Sequence, residues 1–307
     1  MSGPFGSSQW MYATLNPWFG SRGVFAGSYV TGTGTVDVID YITIASTGNA
    51  SDFGDVSAAI RRMAGCSDGS RGIFGGGQTT NVIQYITIST TGDTTDFGDL
   101  THARRSIGAC SDGTRGVFGA GKDASAVSDI IDYITISTTG NATDFGNSTA
   151  ARYDLGGCSS QTRGVFGGGY TNANVNIIDY VTIATTGNAL DFGNLTAARA
   201  GVSGCSDLTR GLWAGGYTNA YNNTIDYITI ASTGNATDFG NLTVARGESV
   251  GAVSDATRAA FAGGLGPNQG DSDQNVIDYV TIASTGDATD FGNLTVARYG
   301  LAGCSGD

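Results

Sequence analysis

The chain repeats itself six times, and no other feature narrows its fold as far. One copy reads ARAGVSGCSDLTRGLWAGGYTNAYNNTIDYITIASTGNATDFGNLT, from Ala198 to Thr243. The arginine that opens its second segment recurs at Arg22, Arg71, Arg115, Arg163, Arg210 and Arg258. The tyrosine of Ile-Asp-Tyr recurs at Tyr41, Tyr85, Tyr133, Tyr180, Tyr227 and Tyr279. The phenylalanine of Asp-Phe-Gly recurs at Phe53, Phe97, Phe145, Phe192, Phe239 and Phe291. Spacings run from 44 to 52 residues. A copy of this length with several short strands marks a propeller blade, because one copy cannot bury its apolar face alone.

Each copy holds four strand-like pieces. Strand A (GVSGCS) is small and apolar, and a Ser-Asp turn leads to strand B (RGLWAGG). A variable polar loop precedes strand C (TIDYITIAS), the longest and most β-branched. The turn Ser-Thr-Gly-Asn/Asp supplies glycine where positive φ is needed, and strand D (ATDFGNLT) ends the copy. The segment at 300–305 is of type A with no type-B segment after it. Conversely, the first B segment, at 22–27, has no A segment before it. Pairing the two closes a ring and removes exposed edges. The expected architecture is an all-β, six-bladed β-propeller of four-stranded antiparallel blades over residues 21–307, closed by the C-terminal strand, with residues 1–20 as an arm.

Composition fits that expectation and excludes several function classes. Lys122, Glu248 and His102 are the sole residues of their types, so two good helix formers are nearly missing. Net charge is −12 and no basic run occurs, which argues against a nucleic-acid partner. The start, MSGPFGSSQWMYATLNPWF, lacks the charged-then-apolar pattern of a signal peptide. No stretch approaches the ~20 apolar residues of a membrane helix, so membrane insertion is not expected. A protein of this kind acting outside a cell would be made in the cytoplasm and leave by lysis or on a particle.

Several residue series are candidate sites. Cys66, Cys110, Cys158, Cys205 and Cys304 fall at one position of strand A, with one cysteine per blade. That spacing suits buried small side chains better than a metal site, whose ligands cluster, and no metal or other cofactor is expected. A second arginine series, Arg104, Arg152, Arg199, Arg246 and Arg298, follows strand D, and blade 1 has Ile60 there with Arg61 beside it. These six arginines, Arg61 included, would ring one channel mouth and hold a carboxylate or sulfate. The alternative is that each braces a neighbouring blade. The first arginine series would pair locally with Asp68, Asp112, Asp207 or Asp255. The strand-C aspartates, such as Asp40 and Asp132, suit turn capping and backbone hydrogen bonds better than calcium loops, and the Asn-x-Thr sequons read as turn chemistry. The B–C loops vary most and carry Tyr170, Tyr217 and Tyr221, residues suited to protein or glycan contact. In the arm, Trp10, Tyr12, Trp18 and Phe19 are enough aromatics to anchor it against a neighbouring subunit.

The pattern of small or hydrophobic residues, Gly-Gly (Gly76-Gly77, Gly168-Gly169, Gly215-Gly216, Gly263-Gly264), tyrosine, a strand-D aromatic and then arginine resembles the kelch repeat. It departs from that pattern at Gly27-Ser28 and Ala120-Gly121, and strand D carries Phe in place of the usual Trp. The wording DYITIASTGNATDFGNLT also resembles the repetitive kelch-like proteins of tailed phages of marine bacteria and cyanobacteria. That resemblance implies a non-enzymatic structural or binding protein of a virion, in a tail, fibre or surface decoration. It implies other virion proteins as partners through the arm and a part in host attachment through a surface glycan. A free carbohydrate-binding propeller is the alternative. A copper site of the galactose-oxidase kind needs two histidines, and a glycosidase needs a carboxylate pair, whereas no aspartate breaks the repeat in a way that marks one blade as special.

Overall fold

The computed structural model describes residues 19–78, 80–267 and 272–307. Each Ile-Asp-Tyr segment (Ile-Gln-Tyr in the second copy) forms the third strand of a four-stranded antiparallel sheet, and six such sheets make a six-bladed β-propeller. Blade 5 shows the pattern: Ser203–Ser206 innermost, then Arg210–Ala214, Thr224–Thr229 and Thr237–Asn241 outermost. Blade 1 closes the ring as the repeat count requires. Its innermost strand is the C-terminal Ala302–Gly306, which pairs antiparallel with Arg22–Val30. Ser21 then donates its amide and hydroxyl to the Asp307 carboxylate at 2.6 and 2.7 Å.

Apolar side chains gather between blades. One cluster joins Val24, Ile39 and Phe53 of blade 1 to Phe74, Ile86 and Ile88 of blade 2, and a comparable cluster fills each of the other five joints. The cysteines belong to this packing. All five are free and buried, and a Cβ on Gly116 would lie 2.8 Å from the Cys66 sulfur of the preceding blade. The Arg-Gly pair at the start of strand B is therefore matched to the cysteine facing it.

The outer rim explains why two other motifs recur together. The Ser-Thr-Gly-Asn/Asp turn of one blade docks on the Asp-Phe-Gly strand of the previous blade. Gly92 donates its N–H to the Phe53 carbonyl at 2.7 Å, and Gly140 does the same to Phe97 at 2.8 Å. The next side chain adds a bond: Asn141 Oδ1 accepts from the Asp99 amide at 3.1 Å. Gly54 has φ +146°, and a Cβ there would strike the backbone of Gly92. The sequon asparagines Asn49, Asn141 and Asn235 all serve in this contact, as does Asn188.

The first arginine series also braces the ring, though with a different partner from the local aspartate. Arg71 Nη1 reaches the Ile136 carbonyl of the next blade at 3.1 Å, and its guanidinium lies over Tyr85 at 5.1 Å. Asp68 instead accepts the backbone amides of Ser70 and Arg71. The reason is geometric: the tight turn puts two N–H groups within reach of the carboxylate while the long arginine side chain spans the joint.

Candidate binding face

The inner strands leave little space at the axis. Small residues such as Gly65, Ala109, Gly157 and Gly204 face one another there, and a Cβ on Gly157 would collide with the Ala109 backbone. Two cavities of about 60 and about 80 Å³ remain, each large enough for a few waters and no substrate. One end of the channel carries a serine ring, in which Ser67 Oγ donates to the Ser305 carbonyl and Ser111 Oγ to the Ser67 carbonyl, at 2.7 and 2.6 Å. Phe19 lines the cavity at this end, so the chain enters the described fold here. Trp10, Tyr12 and Trp18 lie outside the described residues.

The arginines Arg104, Arg152, Arg199, Arg246 and Arg298 do not ring the other mouth. All five side chains are buried, and each meets a buried aspartate of the third strand: Asp132, Asp179, Asp226, Asp278 and Asp40 in turn, at 2.6–2.8 Å. Those strand-C aspartates are thus ion-pair partners and not simple turn caps. Arg104 also donates to the Ile130 and Phe118 carbonyls, and Thr101 Oγ1 donates to Asp132 at 2.7 Å. The Thr-x-x-Arg linker after one blade is thereby locked onto the next. Burial pulls the guanidinium pKa of Arg104, Arg199, Arg246 and Arg298 below its ordinary value, and the facing aspartate pushes it back.

Two residues beyond each brace, the chain turns through positive φ at Arg62, Ser106, Asp154, Gly201, Glu248 and Gly300. These positions form a backbone ring at the mouth opposite Phe19. Ser106 N–H donates to the Arg62 carbonyl, Asp154 to Ser106, Gly201 to Asp154, Gly300 to Glu248 and Arg62 to Gly300, at 2.8–3.0 Å. The preceding residues form a second ring, which pairs with the residue after each Gly-Gly or its equivalent. Tyr299 bridges Tyr29, Arg105 bridges Lys122, Tyr153 bridges Tyr170, Ala200 bridges Tyr217 and Gly247 bridges Leu265. Gln78 N–H donates to the Arg61 carbonyl at 3.1 Å.

No protein-family model and no curated protein matches this chain.

The symmetry of the scaffold breaks on this face. Of the fifteen Lys and Arg residues, six open the second strands, five are the buried braces, and the other four are Arg61, Arg62, Arg105 and Lys122. All four sit in these rings. Arg62 pairs with Glu248 across the mouth at 2.7 Å. Arg61 lies over Tyr29 at 4.2 Å and Lys122 over Tyr153 at 5.0 Å. Tyr29–Tyr299 and Tyr153–Tyr170 are ring pairs with centroids 5.4 and 5.5 Å apart. Tyr217 is 41% exposed and meets Tyr221 edge-on at 5.4 Å. Arg61, Tyr170, Tyr217 and Tyr221, named from the sequence, therefore lie on one face.

Arg62, Arg105, Lys122, Asp154 and Glu248 were missed in the sequence. Burial raises the Asp154 pKa, against the pull of Arg62 and the Ser106 hydroxyl. Burial, and then Asp154, raise that of Glu248, again against Arg62. Except for Lys122, which follows Ala120-Gly121, their signal was a two-residue column after the brace, which reads Arg-Arg, Arg-Ser, Tyr-Asp, Ala-Gly, Gly-Glu and Tyr-Gly while its surroundings barely change. Glu248-Ser249 also marks a one-residue insertion before strand A of blade 6, where both residues have positive φ.

Proposed function

We propose that this protein is a non-enzymatic binding propeller carried on a tailed-phage virion, held at its Phe19 end and presenting the opposite face to a host-surface partner. The observation that carries the reading is the division of labour among side chains. Residues that recur from copy to copy make the rim, the core and five of the six buried ion-pair braces. Residues that depart from the repeat concentrate in the rings around one mouth, at the end of the channel away from Phe19. A rigid scaffold with variable, aromatic-rich positions on one surface is suited to recognition. Attachment through residues 1–18 would leave that surface free, and the repeat wording favours a virion as the body to which they attach.

Deleting residues 1–18 tests this. The truncated ring is expected to fold and to stay in the supernatant when particles are sedimented, while the full chain pellets with them. Truncated protein that still pellets overturns attachment through this end. Full-length protein that never pellets with particles overturns the virion reading and leaves the second one, a free glycan-binding propeller, which the exposed Tyr217, seated edge-on against Tyr221, favours.

A further inference from the structure

Five of the six joints draw an arginine into the protein. The joint between blades 1 and 2 does not: Ile60 takes the arginine position and Gln84 the aspartate position. Gln84 there accepts from the Ser57 amide and the Thr94 hydroxyl, so this seam is closed by neutral groups. The cation stands one residue further on, as Arg61, and it faces a cleft of about 400 Å³ lined with Tyr29, Thr35, Ala59 and Gln78.

Three contacts fix the Arg61 guanidinium. Nε donates to Gln78 Oε1 at 2.6 Å, Nη1 donates to the Tyr299 hydroxyl at 3.2 Å, and the plane rests over the Tyr29 ring. Its Nη2 donates to none of the described residues, and no described carboxylate pairs with it; the nearby Glu248 is taken by Arg62. A fixed guanidinium with an unused edge is a fitting seat for a carboxylate or sulfate. The rest of the lining is a tyrosine ring, a hydroxyl and an amide, groups that meet the ring and hydroxyls of a sugar. A net charge of −12 opposes dense polyanions at long range, so a saccharide with separated charges fits better than a nucleic acid.

We propose that the cleft between blades 1 and 2 binds an acidic saccharide, Arg61 pairing with its carboxylate or sulfate while Tyr29, Thr35 and Gln78 contact the sugar. This rests on the reading of the opposite face as the recognition surface.

The test is calorimetric titration of the full chain with four probes: a galactan oligomer bearing one galacturonate residue, a galactan oligomer bearing one sulfate, a neutral galactan oligomer and an oligothymidylate. At least one acidic saccharide should bind at least tenfold tighter than the neutral one, and which of them does identifies the anion. Arg61→Gln should weaken that binding at least tenfold with thermal midpoint unchanged, and Arg105→Gln, at the neighbouring joint and outside the cleft lining, less than threefold. Arg61→Lys, which keeps the charge and loses the fork, should fall between and covers a failure of the glutamine variant to fold. Absence of acidic-saccharide binding, equal binding of the neutral oligomer, indifference to Arg61, or equally tight oligothymidylate binding each overturns the proposal. A ligand found by wider screening and lost in Tyr217→Ala but kept in Arg61→Gln would retain the recognition surface and remove this cleft from it.

Discussion

Arg104 Nη2 and Asp132 Oδ2 meet at 2.7 Å with no solvent exposure on either side chain. Removing one member of such a pair strands a buried charge, which costs about 3–5 kcal/mol, whereas replacing both by neutral groups of similar volume can cost little. The chain already contains the neutral form, as Ile60 and Gln84 in blade 2. Asp132→Gln and Arg104→Ile are therefore each expected to lower unfolding free energy by about 3–5 kcal/mol, and the double variant by far less than their sum. Denaturant melts of all four proteins give the coupling energy. A coupling near zero would mean that the carbonyl bonds of Arg104, and not its charge partner, hold the joint.

Cys66, Cys110, Cys158, Cys205 and Cys304 are buried, and desolvation pushes each thiol well above its ordinary pKa. The thiolate is the reactive species, so burial and protonation act together. All five are expected to ignore a thiol reagent such as DTNB at pH 8 for as long as the ring is folded, and to react together in denaturant. One cysteine titrating early would place a locally open joint at that blade.

The fold was legible from the sequence because its cause is periodic. Tyr41 and Phe53 mark a strand pair, meet edge-on at 6.0 Å, and do the same in every other copy. The ring closure was legible because strand types could be counted. The site was less so. An arginine after each outer strand can point to the channel or into the joint, and the sequence does not display the strand-C aspartate at its side. The paired loss of Arg and Asp in blade 2 held that information, since Ile60 and Gln84 depart from the repeat together. Asp154 and Glu248 were passed over because attention to the repeat hides the column that varies.

Closure depends on one strand. Ala302 and Cys304 lie in the cluster that joins blades 1 and 2, and Asp307 holds Ser21. Deleting 302–307 leaves blade 1 with three strands and an exposed inner edge. The thermal midpoint is expected to fall by more than ~10 °C, as for a loss of several kcal/mol in a domain of this size, and the radius of gyration by small-angle scattering to rise. An unchanged midpoint would show that the other five blades hold the ring without it.

The charged mouth predicts a pH dependence. The Asp154 carboxyl faces Arg62, Arg105, Lys122 and the Ser106 hydroxyl, and Glu248 lies nearby, paired with Arg62. Burial lifts Asp154 above its ordinary 3.8 and Glu248 above its ordinary 4.5 in the folded state. Between the unfolded and folded values the native protein holds more protons than the unfolded chain. Stability contributed by these groups therefore falls as pH rises through that window. Below the ordinary values both are protonated in both states and the effect vanishes. Asp154→Asn removes the buried charge while keeping its shape, so it should raise the thermal midpoint over the parent by about 2 °C at pH 8, with the gain shrinking to nothing near pH 3.5. A variant less stable than the parent at pH 8 would mean that Arg62, Arg105 and Lys122 attract the ionised Asp154 more strongly than burial opposes it.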